Sequence, residues 1–276
     1  MVFEPRPRPP VLPLSDAAFQ PLAIGVGRLA HEGTGGAITH LILDHAGRDR
    51  YSNAQLDNYW VGQGKGFPRR HFPCAPPIRL TMRAWASHAA ADMRGTAGFG
   101  FWNHPYMPGE RFPRLPRYAW FFFGGAPHNM ALARGVPGGG WKAAVGSFQR
   151  PAFLALAPTA PLGFLLMRVP PLYRALWGIG QWAVGVREAH LDPEVIDWRE
   201  PHEYRLDWLV DRLQWYIDGR LVLESPLRLR GRMGCVIWHD NQYAILTPQG
   251  QIGFGLVAIP ARQTFSVAGI SLTALG

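Results

Sequence analysis

Lysine is almost missing from this 276-residue chain: Lys65 and Lys142 stand alone among 28 basic residues, so arginine supplies nearly all the positive charge. The net charge of +9 is scattered, with small groups at Arg6 and Arg8 and at Arg228, Arg230 and Arg232. A nucleic-acid binder gathers its cations on one face or stripe, so no nucleic acid is expected as a partner. Cysteine is scarce too. Cys74 and Cys235 are the only two, and a chain of this length buries enough core without a bridge. Long apolar runs are absent: the proline-rich start Met1–Pro10 lacks the core of a secretory signal. The charge-free stretch Pro151–Met167 holds Pro158 and Pro161 and is too short to span a bilayer. A soluble, cytoplasmic protein is the expectation. The ten histidines include no His-x-His and no His-Glu-x-x-His, so no metal is expected. Gly25-x-Gly27-x-x-Ala30 has no βαβ unit after it, and no Gly-x-Ser-x-Gly elbow exists. No cofactor is expected.

Glycine and proline, in contrast, are abundant at 32 and 26 residues, roughly a fifth of the chain against an average of about 12%. That disfavours a helix bundle. A hydrophobic fraction of 47% with 17% charged residues excludes disorder and coiled coil. Residues 1–21 read as a proline-rich extended tail, and residues 22–276 as one domain. From Ala37 on, short apolar runs alternate with turn residues: Ile38–Leu43, Ile78–Ala86, Gly98–Trp102 and Tyr118–Phe123. This rhythm predicts an all-β, antiparallel two-sheet jelly-roll sandwich.

Residues 151–187 break the rhythm. Leu162, Leu165, Leu166, Val169, Leu172, Tyr173, Leu176, Trp177, Ile179 and Trp182 recur at three- and four-residue steps, the helical period. Pro170-Pro171 splits the segment into two short helices. This apolar insertion is a candidate cover for a cleft. With Arg168, Arg174 and Arg187 as a thin cationic face, it is also a candidate peripheral membrane contact.

The segment 202–224 is the clearest. Tyr204, Leu206 and Trp208 alternate with Arg205 and Asp207, Leu213, Trp215 and Ile217 alternate with polar neighbours, and Asp218-Gly219 marks a tight hairpin. It predicts a three-strand meander at the centre of the sandwich. Its pattern, His202-x-Tyr204-x-x-x-Trp208 followed by Asp211-x-x-x-x-Tyr216-x-Asp218-Gly219, resembles glycoside hydrolase family 16. Those are the laminarinase- and lichenase-like members of the concanavalin A-like lectin/glucanase superfamily. Tyr51–Asp57, Gly98–Trp102 and Phe265–Leu272 resemble their entry strand, the strand before the active-site strand, and the closing strand. The resemblance spans residues 30–150 and 195–275.

It implies two carboxylates about 5 Å apart for a retaining mechanism, carried on one strand as Glu-x-Asp-x-x-Glu. The equivalent strand here, Tyr118-Ala-Trp-Phe-Phe-Phe123, has no acid. Apolar on both faces, it predicts burial on both sides. Asp192-Pro-Glu-Val-Ile-Asp197 has the spacing of the motif but precedes the meander, and it reads as a solvated turn.

Two polar clusters adjoin tryptophans. Trp102, Asn103 and His104, joined by His128, form one; Trp238, His239, Asp240 and Asn241 form the other. The functional reading makes them the polar groups of an aromatic pocket. Tyr118, Trp120, Phe122, Trp102, Asn103, His104, Asp57, Trp238 and Asn241 would then bind the ligand. His239, Asp240 and His128 are the candidates for acid–base work. Equally, His-Asp-Asn suits a turn that satisfies its own backbone. With the hydrolase acids missing, the leading expectation is a small, largely apolar molecule such as a polyketide, terpenoid or lipid, bound or transformed in the cleft as by a cyclase or isomerase. The alternative is a lectin-like domain that binds a glycan. An active hydrolase stands last.

Overall fold

A computed structural model describes residues 19–34, 37–61, 69–70, 72–105, 114–247 and 251–275. Most of the proline-rich tail, residues 1–18, lies outside the described residues, while Gln20 and Pro21 already belong to the first strand. The apolar runs pair into two seven-stranded sheets, antiparallel throughout. The front sheet runs β1 (Gln20–Ile24), β4 (Asn53–Asp57), β16 (Gly234–Asp240), β8 (Thr96–Trp102), β9 (Arg117–Gly124), β11 (Gly140–Ser147) and β12 (Arg187–His190). The back sheet runs β15 (Arg220–Ser225), β14 (Leu213–Ile217), β13 (His202–Trp208), β7 (Ile78–Ala86), β19 (Gln263–Ala274), β3 (Ile38–Leu43) and β2 (Arg28–Glu32). A small sheet of β10 (Asn129–Met130), β17 (Gln242–Leu246) and β18 (Ile252–Leu256) and a pair β5 (Trp60–Val61) and β6 (Arg69–Arg70) complete the strands. The expected two-sheet jelly-roll sandwich is what forms.

The meander is β13–β14–β15, and its turn has Asp218 and Gly219 both in the left-handed region, φ 47° and 77°. That is the twist a two-residue hairpin needs. Its place differs from expectation: it forms one end of the back sheet, joined through β13 to β7. The long strand β7 takes the central position because it pairs with both β13 and β19.

Strand alternation sends one set of side chains inward from each sheet. Phe99, Phe121 and Trp141 from the front meet Tyr204 and Phe265 from the back, with Trp198 beside them. Edge-on contacts of Phe99 and Phe121 with Tyr204, at 5.3 and 5.0 Å between centroids, make this an aromatic core. Trp215 of β14 adds a polar stitch across the sandwich, its Nε1–H donating to the Trp120 carbonyl at 3.1 Å.

The insertion forms three helices: α1 (Pro151–Leu156), α2 (Ala160–Leu166) and α3 (Pro170–Val184). Pro170 and Pro171 open α3, since the first turn needs no backbone donors there. Gly185, at φ 69°, closes it. The helices pack beside β11, where Phe153, Val184 and Val186 meet Leu132, Val136 and Phe148. Trp177 donates to the Leu132 carbonyl at 3.2 Å. Because they settle there, they do not seal the outer face of β9. On that outer face Tyr118 is buried but Trp120 and Phe122 stay half-buried, so the expected two-sided burial of Tyr118–Phe123 is complete on the inner face and only partial on the outer one.

Trp215→Ala should destabilise the fold by about 3–5 kcal/mol. Trp215→Phe, which keeps most of the volume and loses the donor to Trp120, should cost about 1–2 kcal/mol. Urea melts of the two variants check the order.

Candidate functional site

The alternation that fills the core throws a second set of side chains onto the outer face of the front sheet. Register places them in rows: Trp102 beside Tyr118, Gly100 beside Trp120, and Gly98 between Trp238 and Phe122. The two glycines are what admit the rings. A Cβ on Gly98 would lie 2.9 Å from the Trp238 ring, and one on Gly100 2.7 Å from the Trp120 Cβ. Trp120 is the hub. Tyr118 stacks on it at 4.4 Å and 18°, and Phe122 stacks at 5.6 Å. Trp238 and Trp102 lean against it at 5.5 and 6.2 Å. Of the expected ligand-binding residues, the fold thus unites Trp102, Tyr118, Trp120, Phe122 and Trp238 on one floor.

Polar groups border this floor on both sides. On β4, Asn53, Gln55 and Asp57 share the outer face in a ladder: Asn53 donates to Gln55 at 3.2 Å and Gln55 to Asp57 at 2.8 Å. Gln55 also reaches the Tyr59 hydroxyl, which accepts the Trp102 indole N–H at 3.0 Å. The His104 ring packs against both Tyr59 and Trp102. At the top of β16, Asp240 accepts from the Thr96 hydroxyl at 2.7 Å and from the Gln242 amide at 3.1 Å. Thr96 in turn accepts the Trp238 indole N–H at 3.0 Å. Burial pushes the Asp240 carboxyl up to about 6. On the far side, Lys142 and Glu188 form a buried pair at 3.4 Å, and Lys142 also donates to the Met130 carbonyl. Burial lowers the lysine and raises the glutamate, each partly offset by its partner.

Other expected residues stand elsewhere. His239 alternates to the core side of β16, fully buried, with Nδ1 3.2 Å from the Thr96 carbonyl, and does not face Asp240 across the cleft. Asn241 is a clamp: its amide donates to the Gly47 and Arg50 carbonyls and its oxygen accepts from Ser52. Asn103 ties β8 to β9 through Leu115 and Arg117. The Gln242 amide donating to Asp240 fits the turn reading of His239-Asp240-Asn241, whereas Asn241 binds the backbone of a distant loop and not its own turn. His128 does reach the floor, 5.0 Å from Phe122. Its Nδ1 accepts the Ala244 amide at 3.2 Å, which puts the proton of the neutral ring on Nε2. Burial depresses its pKa to about 4. Asp192 and Asp197 lie in an exposed turn, capping Glu194 and pairing with Arg199.

Among the described residues, the carboxylates of the floor stand far apart. Asp57 stands opposite Val236, and Asp240 opposite Asn53, four residues along, a separation of roughly 13 Å. Glu188 is four strands from Asp240, on the order of 19 Å. Neither spacing matches the about 5 Å or 6.5–9.5 Å of paired glycosidase acids.

No known family model matches the chain, and no curated protein matches it. Among solved structures it is similar to a GlcNAcα1-4Gal-releasing endo-β-galactosidase from Clostridium perfringens, at 9% identity and TM-score 0.48, over 94% of this chain and 59% of that one. A legume lectin-like domain from Entamoeba histolytica matches at 9% identity and TM-score 0.46, over 98% of this chain and 100% of that one. Bacillus licheniformis β-glucanase matches at 7% and 0.43, over 94% and 92%. The chain spans only 17% of a sialidase that it also matches. The fold assignment itself rests on the strand order and register described above.

Sequence reasoning missed Asn53, Gln55, Thr96, Lys142 and Glu188. Two signals were available: the polar residues at alternate positions of Asn53–Asp57, and a lysine inside the apolar run of β11 in a chain with almost none.

Asp240 gives a pH test. Its folded pKa, about 6, lies above the ordinary 3.8, so its contribution is full in acid and is lost as pH rises through 6, by on the order of 3 kcal/mol. His128 and His239, both lowered to about 4, act in the opposite sense and lose their contribution as pH falls below 6.5. The stability difference between Asp240→Asn and the parent should therefore shift in favour of the variant between pH 4 and 7, read from urea midpoints.

Proposed function

We propose that the outer face of the front sheet is a glycan-binding face and that the protein recognises carbohydrate without cleaving it. The observation that carries this reading is the aromatic floor centred on Trp120, where Trp102, Trp120 and Phe122 stay partly exposed and buried polar ladders along the borders hold the rings in place. Flat aromatic faces take the apolar faces of sugar rings, and a few placed polar groups supply orientation. The absence of acid on β9 and the wide spacing of Asp57, Asp240 and Glu188 favour recognition over hydrolysis.

One observation favours a lipophilic ligand instead. The indole N–H groups of Trp102 and Trp238 are already spent on Tyr59 and Thr96, leaving an apolar surface at the centre. Calorimetric titration with laminari-, cello- and galacto-oligosaccharides, run beside titration with an apolar fluorophore, separates the two. Trp120→Ala should lose on the order of 2–4 kcal/mol of oligosaccharide binding, as removal of a central aromatic anchor does, while its melting curve stays cooperative. No reducing ends should appear from laminarin or lichenan. Dye binding with no sugar binding would replace the glycan by a lipophilic molecule. Hydrolysis abolished by Asp192→Asn or Asp197→Asn would overturn the non-catalytic reading.

A further inference from the structure

The charge of this chain is not distributed as its scattered arginines suggest. Between Glu110 and Glu188 there is no aspartate or glutamate, and residues 111–187 hold nine arginines and lysines. Removing those nine from the 28 basic residues leaves 19, equal to the 19 acids of the rest of the chain. The net charge of +9 thus equals the cation count of this one stretch, and Arg168, Arg174 and Arg187 of the insertion are all exposed.

The insertion presents an apolar stripe to solvent. Leu172, Ala175, Ile179 and Trp182 of α3 recur at steps of three and four and are all exposed. Leu162 and Leu165 of α2 add to the stripe at 57% and 58% exposure, against 62% for Trp182. This is not a face waiting for the body of the protein, because α3 already has an inner face. Trp177 bonds to the Leu132 carbonyl, and Ala183 and Val184 are buried. The outer stripe is a second apolar surface, and α1 and α2 bury no residue at all. Arginines accompany it: Arg168 and Arg174 are exposed, and the Arg150 guanidinium lies 5.9 Å over the Trp182 ring.

We propose that the insertion 151–187 is a membrane-docking surface for anionic lipid, with Leu162, Leu165, Ile179 and Trp182 entering the interface and Arg168 and Arg174 facing the headgroups, while Arg150 holds the end of α3 through the Trp182 and Ala183 carbonyls. Apolar side chains beside an acid-free cationic face are what interfacial helices use. Tryptophan suits the headgroup level, where its ring is half in hydrocarbon and its N–H stays wet. Charge selects this occupant over a second copy of the chain: two such faces would bring like charges together with no carboxylate between them. No helix among the described residues is long and apolar enough to cross a membrane, so the contact is peripheral. It uses a different surface from the glycan-binding face and stands or falls independently of it.

Co-sedimentation of the full chain with sucrose-loaded vesicles tests this. Vesicles of phosphatidylcholine with about one third phosphatidylglycerol should carry the protein down at low salt, pure phosphatidylcholine far less, and binding should weaken above roughly 0.15 M salt. Ile179→Ser with Trp182→Ser should lower partition at least about tenfold with little change in the melting midpoint, since Ile179 is 47% and Trp182 62% exposed. Arg168→Gln and Arg174→Gln should each lower it about fivefold at low salt and have little effect at high salt. No pelleting with the anionic vesicles, or equal pelleting of the parent and both sets of variants, overturns the proposal. So does a parent dimer in sedimentation velocity that the Ile179/Trp182 double variant dissolves, which would identify a second copy as the occupant.

Discussion

Strand β9 is the constraint on which the molecule depends. Six consecutive residues, Tyr118 to Phe123, carry five aromatic rings and one alanine, with no polar side chain to say which face is which. Because side chains alternate with period two, a slip of one residue would exchange Trp120 and Phe122 for Phe121 and Phe123. The partners prevent this. Gly98 and Gly100 on β8, and Ala144 and Gly146 on β11, make room for Tyr118, Trp120 and Phe122 on the outer face. The Trp120 carbonyl is held from the core side by Trp215. One register thus sets both the core and the floor of the cleft.

The polar borders of that floor are preorganised rather than loose. Asn53, Gln55 and Asp57 bond in series, and Thr96 links Trp238 to Asp240. Fixing the tryptophans through their N–H groups removes rotamer freedom before any ligand arrives, which lowers the entropy cost of binding. The same networks keep each carboxylate in its own hydrogen-bond set, distant from the others.

The helical insertion follows a different logic. The sandwich closes its core without it, and its inner face needs only the small patch at Leu132, Val136 and Phe148. Its outer apolar residues and the acid-free composition of residues 111–187 are not demanded by the fold. Under the docking proposal they contact an anionic lipid surface.

The sequence by itself determined the class of fold. Short apolar runs, the Asp218-Gly219 hairpin and the alternation in 202–224 specify antiparallel strands through local backbone and side-chain geometry. That β9 carries no acid from Tyr118 to Phe123 was equally legible, because composition of a strand needs no third dimension to read. The helical period of 151–187 was visible as well, but what the helices cover was not. Periodicity shows that a face is apolar without showing what it meets, and the expected roof over the cleft became a pack beside β11. Only tertiary structure decided the site. It set Trp102, Trp120 and Trp238 on one floor, although they are up to 136 positions apart in the chain. It turned His239 into the core while Asp240, its neighbour, lies buried on the outer face of the sheet. It also brought Lys142 to Glu188. Each of these depends on strand register between distant segments, which pairing across a sheet fixes and local sequence does not.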